Sequence, residues 1–192
     1  MTLGEIVERK RKSAAVTRDE LLRAARQRFL DESYENVGLR EIARDVGVDV
    51  ALVSRYFGSK ERLFREVLQG EKKFDADVPH GRLADHLVSL LAEKDLSSDA
   101  EHIEKLLISL RSASSPVASR LVREAIQDDV LEPLAAMLGG ADRELRASLI
   151  LAILMGSTIL RTVMSVEPMC DGCPDAMRDR LARLFEAAAA EH

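Results

Sequence analysis

The sequence predicts an all-α protein, a set of short N-terminal helices followed by a bundle of longer ones. Apolar residues recur at helical spacing along nearly the whole chain, and no alternating apolar/polar run is long enough to argue for a sheet. The 192 residues hold only 10 Gly and 5 Pro, so few positions interrupt a helix. Hydrophobic residues make up 46% and charged residues 32%, an ordinary balance for a globular protein. Aromatics are 4% with no Trp, so the core is expected to be Leu, Ile, Val and Ala. The length allows one or two domains.

The first segments are read as follows. Thr17-Arg-Asp-Glu20 has the form of a capping box ahead of Leu21, Leu22, Ala25 and Phe29, which predicts a helix beginning there. Leu39, Ile42, Ala43 and Val46 then form the inner face of a second helix. Gly47 supplies the positive φ of a tight turn, Val48 fills the corner, and Asp49 caps a third helix. In that third helix Val53 and Phe57 face inward, leaving Val50, Ala51, Leu52, Ser54, Arg55 and Tyr56 largely outward. Ser59 caps a fourth helix carrying Leu63, Phe64 and Val67, with Glu61 in its positive first turn. Two short helices joined this way are either an ordinary helical hairpin or a helix-turn-helix, whose second helix fits the major groove of DNA.

Across residues 17–68 the chain resembles the TetR family of bacterial transcriptional repressors. The features that carry the resemblance are Ala25 and Phe29, the Tyr34–Val37 elbow, Leu39-Arg-Glu-Ile-Ala43, Gly47-Val48, and Tyr56-Phe57-Gly-Ser-Lys60 running into Leu63-Phe64. Two positions depart from the family pattern. Gly38 stands where a Ser or Thr normally caps the second helix. Ser54 stands where an aromatic is common, so the resemblance does not carry an aromatic phosphate contact to that position.

The expected DNA-binding residues are Arg40, Val50, Ala51, Leu52, Ser54, Arg55, Tyr56 and Lys60. Arg40 and Lys60, at the starts of the second and fourth helices, can meet phosphates together with nearby amides. Arg55 suits either a bidentate contact to guanine or a phosphate, and Tyr56 either a phosphate or a sugar. Val50, Ala51 and Leu52 offer apolar contact, for instance to thymine methyls. Arg44 reads as solvated or ion-paired. The net charge of −5 conceals an asymmetry. Residues 1–73 hold 16 Lys+Arg against 13 Asp+Glu, a balance of +3, while the remainder holds 12 against 20, a balance of −8. Attraction to phosphate is therefore expected at the N-terminal end. The leader 1–16, with Arg9-Lys-Arg-Lys12, is either a solvated, partly helical tail or a basic arm adding phosphate or minor-groove contacts.

From about residue 74 longer helices follow, at about 82–94, 99–113, 116–138, 143–166 and 174–190. Pro133 is expected to kink or split the third of these, and Asp142 to cap the fourth. The helix at 143–166 is apolar around much of its circumference, which predicts burial on more than one side. Ala152 and Gly156 form a small-residue step for a close neighbour. The division expected is a DNA-binding domain over 1–73, with its core at about 17–60, and an effector-binding and dimerisation domain over 74–192. The resemblance implies a homodimer through the helices at about 143–166 and 174–190, facing two half-sites. It also implies a mostly apolar effector pocket in this half. Candidate lining residues are His102, Arg111, Met155, Thr158, Arg161 and Thr162, with either arginine able to anchor a carboxylate and the Met and apolar lining suited to a hydrophobic ligand.

Cys170-Asp-Gly-Cys173, before the last helix, admits three readings: plain thiols, a redox pair, or half a metal site completed from elsewhere. His80, His86 and His102 lack ligand spacing, and nucleophile or phosphate-loop signatures are missing. No enzyme activity, metal or cofactor is expected. The longest apolar stretch, Arg146 to Arg161, is shorter than the roughly 20 residues that cross a bilayer, and the N-terminus lacks the apolar core of a signal peptide. The chain is expected to be cytoplasmic, with no membrane partner. The reading is a regulator, most simply a repressor, released from its DNA operator by a small ligand. The alternatives are a structural or cell-cycle DNA-binding factor, or a thiol redox sensor, on the same fold.

Overall fold

In a computed structural model, residues 3–69, 80–92, 96–167, 169 and 175–191 are described. Among them all regular structure is helical. The helices are α1 (Leu3–Asp31), α2 (Leu39–Val46), α3 (Val50–Phe57), α4 (Lys60–Gln69), α5 (Leu83–Ala92), α6 (Leu96–Ser112), α7 (Pro116–Ile126), α8 (Glu132–Leu138), α9 (Arg143–Thr158) and α10 (Asp175–Ala189). Two compact units form. One holds residues 1–70 and 107–124, the other 71–106 and 125–192.

The first unit is built on α1. This helix begins at Leu3 rather than at Thr17, so the Thr17–Glu20 motif lies mid-helix and does not start one. Ser13-Ala-Ala-Val-Thr17 contains neither Pro nor Gly, and nothing in it stops a helix already under way. Leu21, Ala25 and Phe29 are fully buried from α1, and Ile42, Ala43, Val53, Phe57, Leu63, Phe64 and Val67 are buried from α2, α3 and α4. Five of the chain's seven aromatic residues lie between 29 and 64. Phe64 sits edge-on to both Phe29, at 4.8 Å, and Tyr34, at 5.0 Å, the arrangement that aromatic quadrupoles favour. Arg28 grips Asp45 with two bonds, Nε to Oδ2 at 2.6 Å and NH2 to Oδ1 at 2.8 Å, tying α1 to the end of α2. Arg18 pairs with Glu66 of α4, and its guanidinium lies 4.9 Å from the centre of the Phe57 ring. From α6, α7 and the turn between them, Ile108, Ser112, Ser115, Ala118 and Leu121 are also buried.

The second unit packs α5, α8, α9 and α10 around Leu83, Leu87, Leu91, Leu134, Leu138, Ala147, Ile150, Leu181 and Phe185. The expected break near Pro133 takes the form of a π-helical turn, Gln127–Leu131, between α7 and α8. Proline brings no amide to bond back into the preceding turn, which leaves the wider register open there. Asp142 stands at the start of α9, as expected, but its side chain makes no capping bond, and its backbone is left-handed with φ 50°. A second π-helical turn, Ile159–Val163, prolongs α9.

The expectation that this helix is buried on more than one side fails within the chain. Arg146, Ala147 and Ile150 are buried, while Leu145 is 59% exposed and Leu149, Leu160, Val163 and Leu184 of α10 are likewise open. Apolar periodicity does not distinguish a chain's own core from a face kept for another chain. A Cβ placed on Gly156 would meet nothing within 4 Å, so among the described residues no neighbour closes on the small-residue step. The helical segment Arg143–Val163, 21 residues long, contains an 18-residue window with a mean hydropathy of 1.4, so it is long and apolar enough by composition to cross a bilayer. It is longer than the Arg146–Arg161 stretch picked out from the sequence.

Candidate nucleic-acid interface

Between α2 and α3 the turn is set by local chemistry. Gly47 adopts φ 75°, its amide closing the last turn of α2, and the Val48 amide reaches back to the Ala43 carbonyl at 3.0 Å. This is the left-handed exit that glycine permits without a Cβ penalty. Asp49 then starts α3, its Oδ1 accepting from the Ala51 amide at 2.7 Å. Gly38 has no side chain to cap α2. Instead its own amide donates to Glu41 Oε2 at 3.0 Å, which keeps one half of a capping box.

Helix α3 buries Val53 and Phe57 completely and presents Ala51, Ser54 and Arg55 to solvent. Val50, Leu52 and Tyr56 are half-buried, less outward than the sequence implies. Arg40, second residue of α2, is exposed. All eight residues singled out for DNA therefore stand on α2, α3 and the first position of α4, within one unit.

Lys60 is held differently from the others. Its ammonium lies 4.3 Å from the centre of the Tyr34 ring, within the range of a cation–π contact. Burial pulls its pKa below the ordinary lysine value, against the attraction of Glu35, Glu61 and Glu41. Tyr34 is itself pushed up to about 12, mainly by burial and then by Glu61 and Glu35. Glu61 is held below the usual carboxylate range by its own backbone amide and the Ser59 hydroxyl. The Ser59 hydroxyl also accepts from the Arg62 amide at 3.3 Å, capping α4.

Two contacts that sequence reasoning did not anticipate join residues 80 positions apart in this unit. Arg111 donates to the Asp31 carbonyl at 3.0 Å, and the Ser115 hydroxyl donates to Glu35. No local pattern signals either one. Arg111, considered for an effector, is thus bonded to the end of α1 in the first unit. His102, Met155, Thr158, Arg161 and Thr162 all fall in the second. There Met155, Thr158 and Arg161 are half-buried, His102 and Thr162 are exposed, and the Thr158 hydroxyl is turned back to the Leu154 carbonyl at 2.9 Å. Cys170 and Cys173 lie outside the described residues. Among the described residues, no group of three or more His, Cys, Asp or Glu side chains is placed to hold a metal ion.

Comparison with known proteins agrees with this geometry. The profile described as bacterial regulatory proteins of the tetR family matches residues 21–67. A profile for the tetracyclin repressor-like C-terminal domain matches residues 82–188. By sequence, no curated protein matches the chain. Among solved structures the chain is similar to NalD of Pseudomonas aeruginosa, the secondary repressor of the MexAB-OprM multidrug efflux pump, at 18% identity and TM-score 0.66, over 92% of this chain and 97% of that one. It is similar to GusR of Salmonella enterica at 19% identity and TM-score 0.63, over 90% and 95% of the two chains. SmeT, solved as a complex with triclosan, matches at 20% identity and TM-score 0.57, over 90% of each chain. With one profile covering the helix-turn-helix and another more than half of the chain, the protein belongs to the TetR family of bacterial transcriptional regulators, which bind DNA.

Proposed function

We propose that the protein is a homodimeric repressor that reads an operator through α3 and is released by a small, largely hydrophobic ligand. The observation that carries the DNA-reading part is the division of α3 into a buried side, Val53 and Phe57, and an exposed side bearing Ala51, Ser54 and Arg55. A capped helix of this size fits the major groove, where Arg55 meets a guanine edge or a phosphate. Arg40 and Tyr56 add backbone contacts, Val50, Ala51 and Leu52 apolar ones, and Ser54 a short polar one. Lys60 reaches a phosphate only by leaving the Tyr34 ring.

The dimer is supported by the open apolar face of α9 and α10, Leu145, Leu149, Leu160, Val163 and Leu184. In the family a four-helix seam covers this face, which explains an apolar helix left open in one chain without calling on a membrane. The ligand reading draws on the likeness of the C-terminal half to its family profile and on SmeT, which holds triclosan. Within residues 74–192, His102, Met155, Thr158, Arg161 and Thr162 are the candidates to meet it; Arg111, bonded to α1, is the weakest. The DNA-binding domain extends over residues 1–73 in this reading. As a repressor the chain works in the cytoplasm. Release follows when a ligand binds more tightly to a dimer whose recognition helices are wrongly spaced for the operator.

The test is selection of duplexes from a randomised pool, followed by anisotropy titration of the enriched sequence across a salt series. Wild type is run beside Arg55→Ala and Tyr56→Ala. Enrichment of a two-fold symmetric site, weakened by both substitutions, is the expected result. Failure to enrich any sequence overturns the operator-reading function, and the structural DNA-binding factor takes its place.

A further inference from the structure

We propose that Glu35 is a positioning residue for DNA binding. Held by the Ser115 hydroxyl at the head of α7, it keeps the Lys60 ammonium over the Tyr34 ring and so sets how strongly the start of α4 grips a phosphate. This rests on the DNA-binding reading and goes beyond it, because it assigns control of one contact to residues outside the helix-turn-helix.

The Tyr34 ring is a fixed platform. It is 4% exposed and stacked at 6.1 Å with Phe29 and edge-on at 5.0 Å with Phe64. Lys60 rests over it at 4.3 Å, and Glu35 is the residue next to Tyr34 along the chain. Three carboxylates attract the ammonium, Glu35, Glu61 and Glu41, and each is also hydrogen-bonded elsewhere. Glu41 accepts from the Gly38 amide, and Glu61 is held by its own backbone amide, by Ser59 and by the Tyr34 hydroxyl. Glu35 is fixed from the other side. Ser115 is 3% exposed, and its oxygen accepts from the Ala118 amide at 3.2 Å while its proton goes to Glu35. That leaves the hydroxyl a single orientation. Pro116, first residue of α7, fixes the backbone there. An ammonium that moves to a phosphate must leave both the ring and this carboxylate. The chain reaches Ser115 directly from α6, which begins in the second unit and ends in the first. The phosphate grip is thereby made answerable to the α6–α7 turn.

Salt dependence counts phosphate contacts, since each one neutralised by Lys or Arg contributes about 0.9 to the slope of log K against log salt. The slope is measured on the duplex selected above and on a random duplex long enough for two half-sites. Lys60→Met alone is expected to leave the slope nearly unchanged. Glu35→Gln is expected to steepen it by about 0.9 per bound protomer, and Glu35→Gln with Lys60→Met to abolish that gain. Ser115→Ala should follow Glu35→Gln, while Ser115→Thr, which keeps the hydroxyl, restores wild-type behaviour. A loss of about 0.9 per protomer from Lys60→Met alone, or an unchanged slope in Glu35→Gln, overturns the proposal. A merely structural role for Glu35 would lower the melting temperature and leave the slope alone. If the pool yields no enriched sequence the operator-reading function fails, and slopes on the random duplex still decide the role of Glu35.

Discussion

Arg146 offers the most direct test of what holds the second unit together. It lies on the inner side of α9, 7% exposed, and its described hydrogen-bond partners are all carbonyls. Nε donates to Ala141 at 3.0 Å, one terminal nitrogen to Ala189 at 2.9 Å, and the other to Gly139. The ends of α8 and α10 and the start of α9 are thus drawn together by one cation, placed where two helix C-termini concentrate partial negative charge. Three bonds to a charged donor would be worth about 5–9 kcal/mol at roughly 1.5–3 kcal/mol each. Desolvating the guanidinium costs several kcal/mol and offsets much of that. Replacement by Met keeps an apolar stem and leaves three carbonyls without this donor, so the net loss should be about 2–4 kcal/mol. Arg146→Lys, with a compact ammonium that cannot span all three, should fall between Met and wild type. Urea denaturation at one fixed protein concentration measures both, because association contributes to apparent stability. A loss below about 1 kcal/mol for Arg146→Met with an unchanged m-value would refute the reasoning.

Three further outcomes follow from other contacts. Leu149→Glu with Leu160→Glu places charge on the open apolar face of α9, and light scattering should then report a monomer whose operator affinity has collapsed; a dimer persisting at micromolar concentration removes the proposed seam. Asp49→Ala deletes the cap on α3 and should cost about 1 kcal/mol in thermal or urea unfolding, with Asp49→Asn retaining most of it. Hydrogen bonding to Arg28 holds the Asp45 carboxyl below its usual range. A lowered folded-state pKa stabilises above the unfolded value of about 3.9 and ceases to do so as pH falls through the folded value. The stability gap between wild type and Asp45→Asn should therefore be present at pH 6, small as for exposed pairs, and close in strong acid; a gap independent of pH contradicts the pairing.

The parts of the fold legible in the sequence are those decided within one turn of the chain. Gly47, Asp49 and Ser59 announce their turn and caps because each needs only its neighbours, and the structure places them as expected. Val53 and Phe57 are buried for the same local reason. Thr17 misleads because a capping motif has force only where a helix must begin, and α1 is already under way from Leu3. Long-range pairing is a different matter. Nothing near Ser115 names Glu35, and nothing near Arg111 names the Asp31 carbonyl, since each pair is 80 residues apart. The apolar face of α9 misleads in a third way: Leu149 and Leu160 have the spacing of core residues, yet they stand exposed, on the face proposed for the dimer seam. Burial on folding and burial on association leave the same mark in a sequence.

The role of the basic leader, left open by its composition, can be settled by counting charges at the interface. In the proposed dimer Arg40 and Arg55 would give two cationic contacts per protomer and four per dimer, or six if Lys60 joined them. At about 0.9 per phosphate the slope of log K against log salt is then about −3.6 or about −5.4. Arg9, Lys10, Arg11 and Lys12 lie where the backbone of α1 is already helical. Their full engagement by both protomers would add eight contacts and bring the slope to about −11 in the first case. These values are too far apart to be confused, and they differ in what deletion does. Removal of residues 1–16 should leave a slope near −4 untouched if the leader is a solvated tail, and return a slope near −11 to about −4 if it is an arm on the phosphates. Sequence discrimination should survive the deletion in both cases, because contacts to phosphate set affinity and register while base reading is proposed for the exposed side of α3. A truncated protein that keeps its slope but loses its preferred sequence would show that the leader reads bases itself, and the assignment of that task to α3 alone would then be wrong.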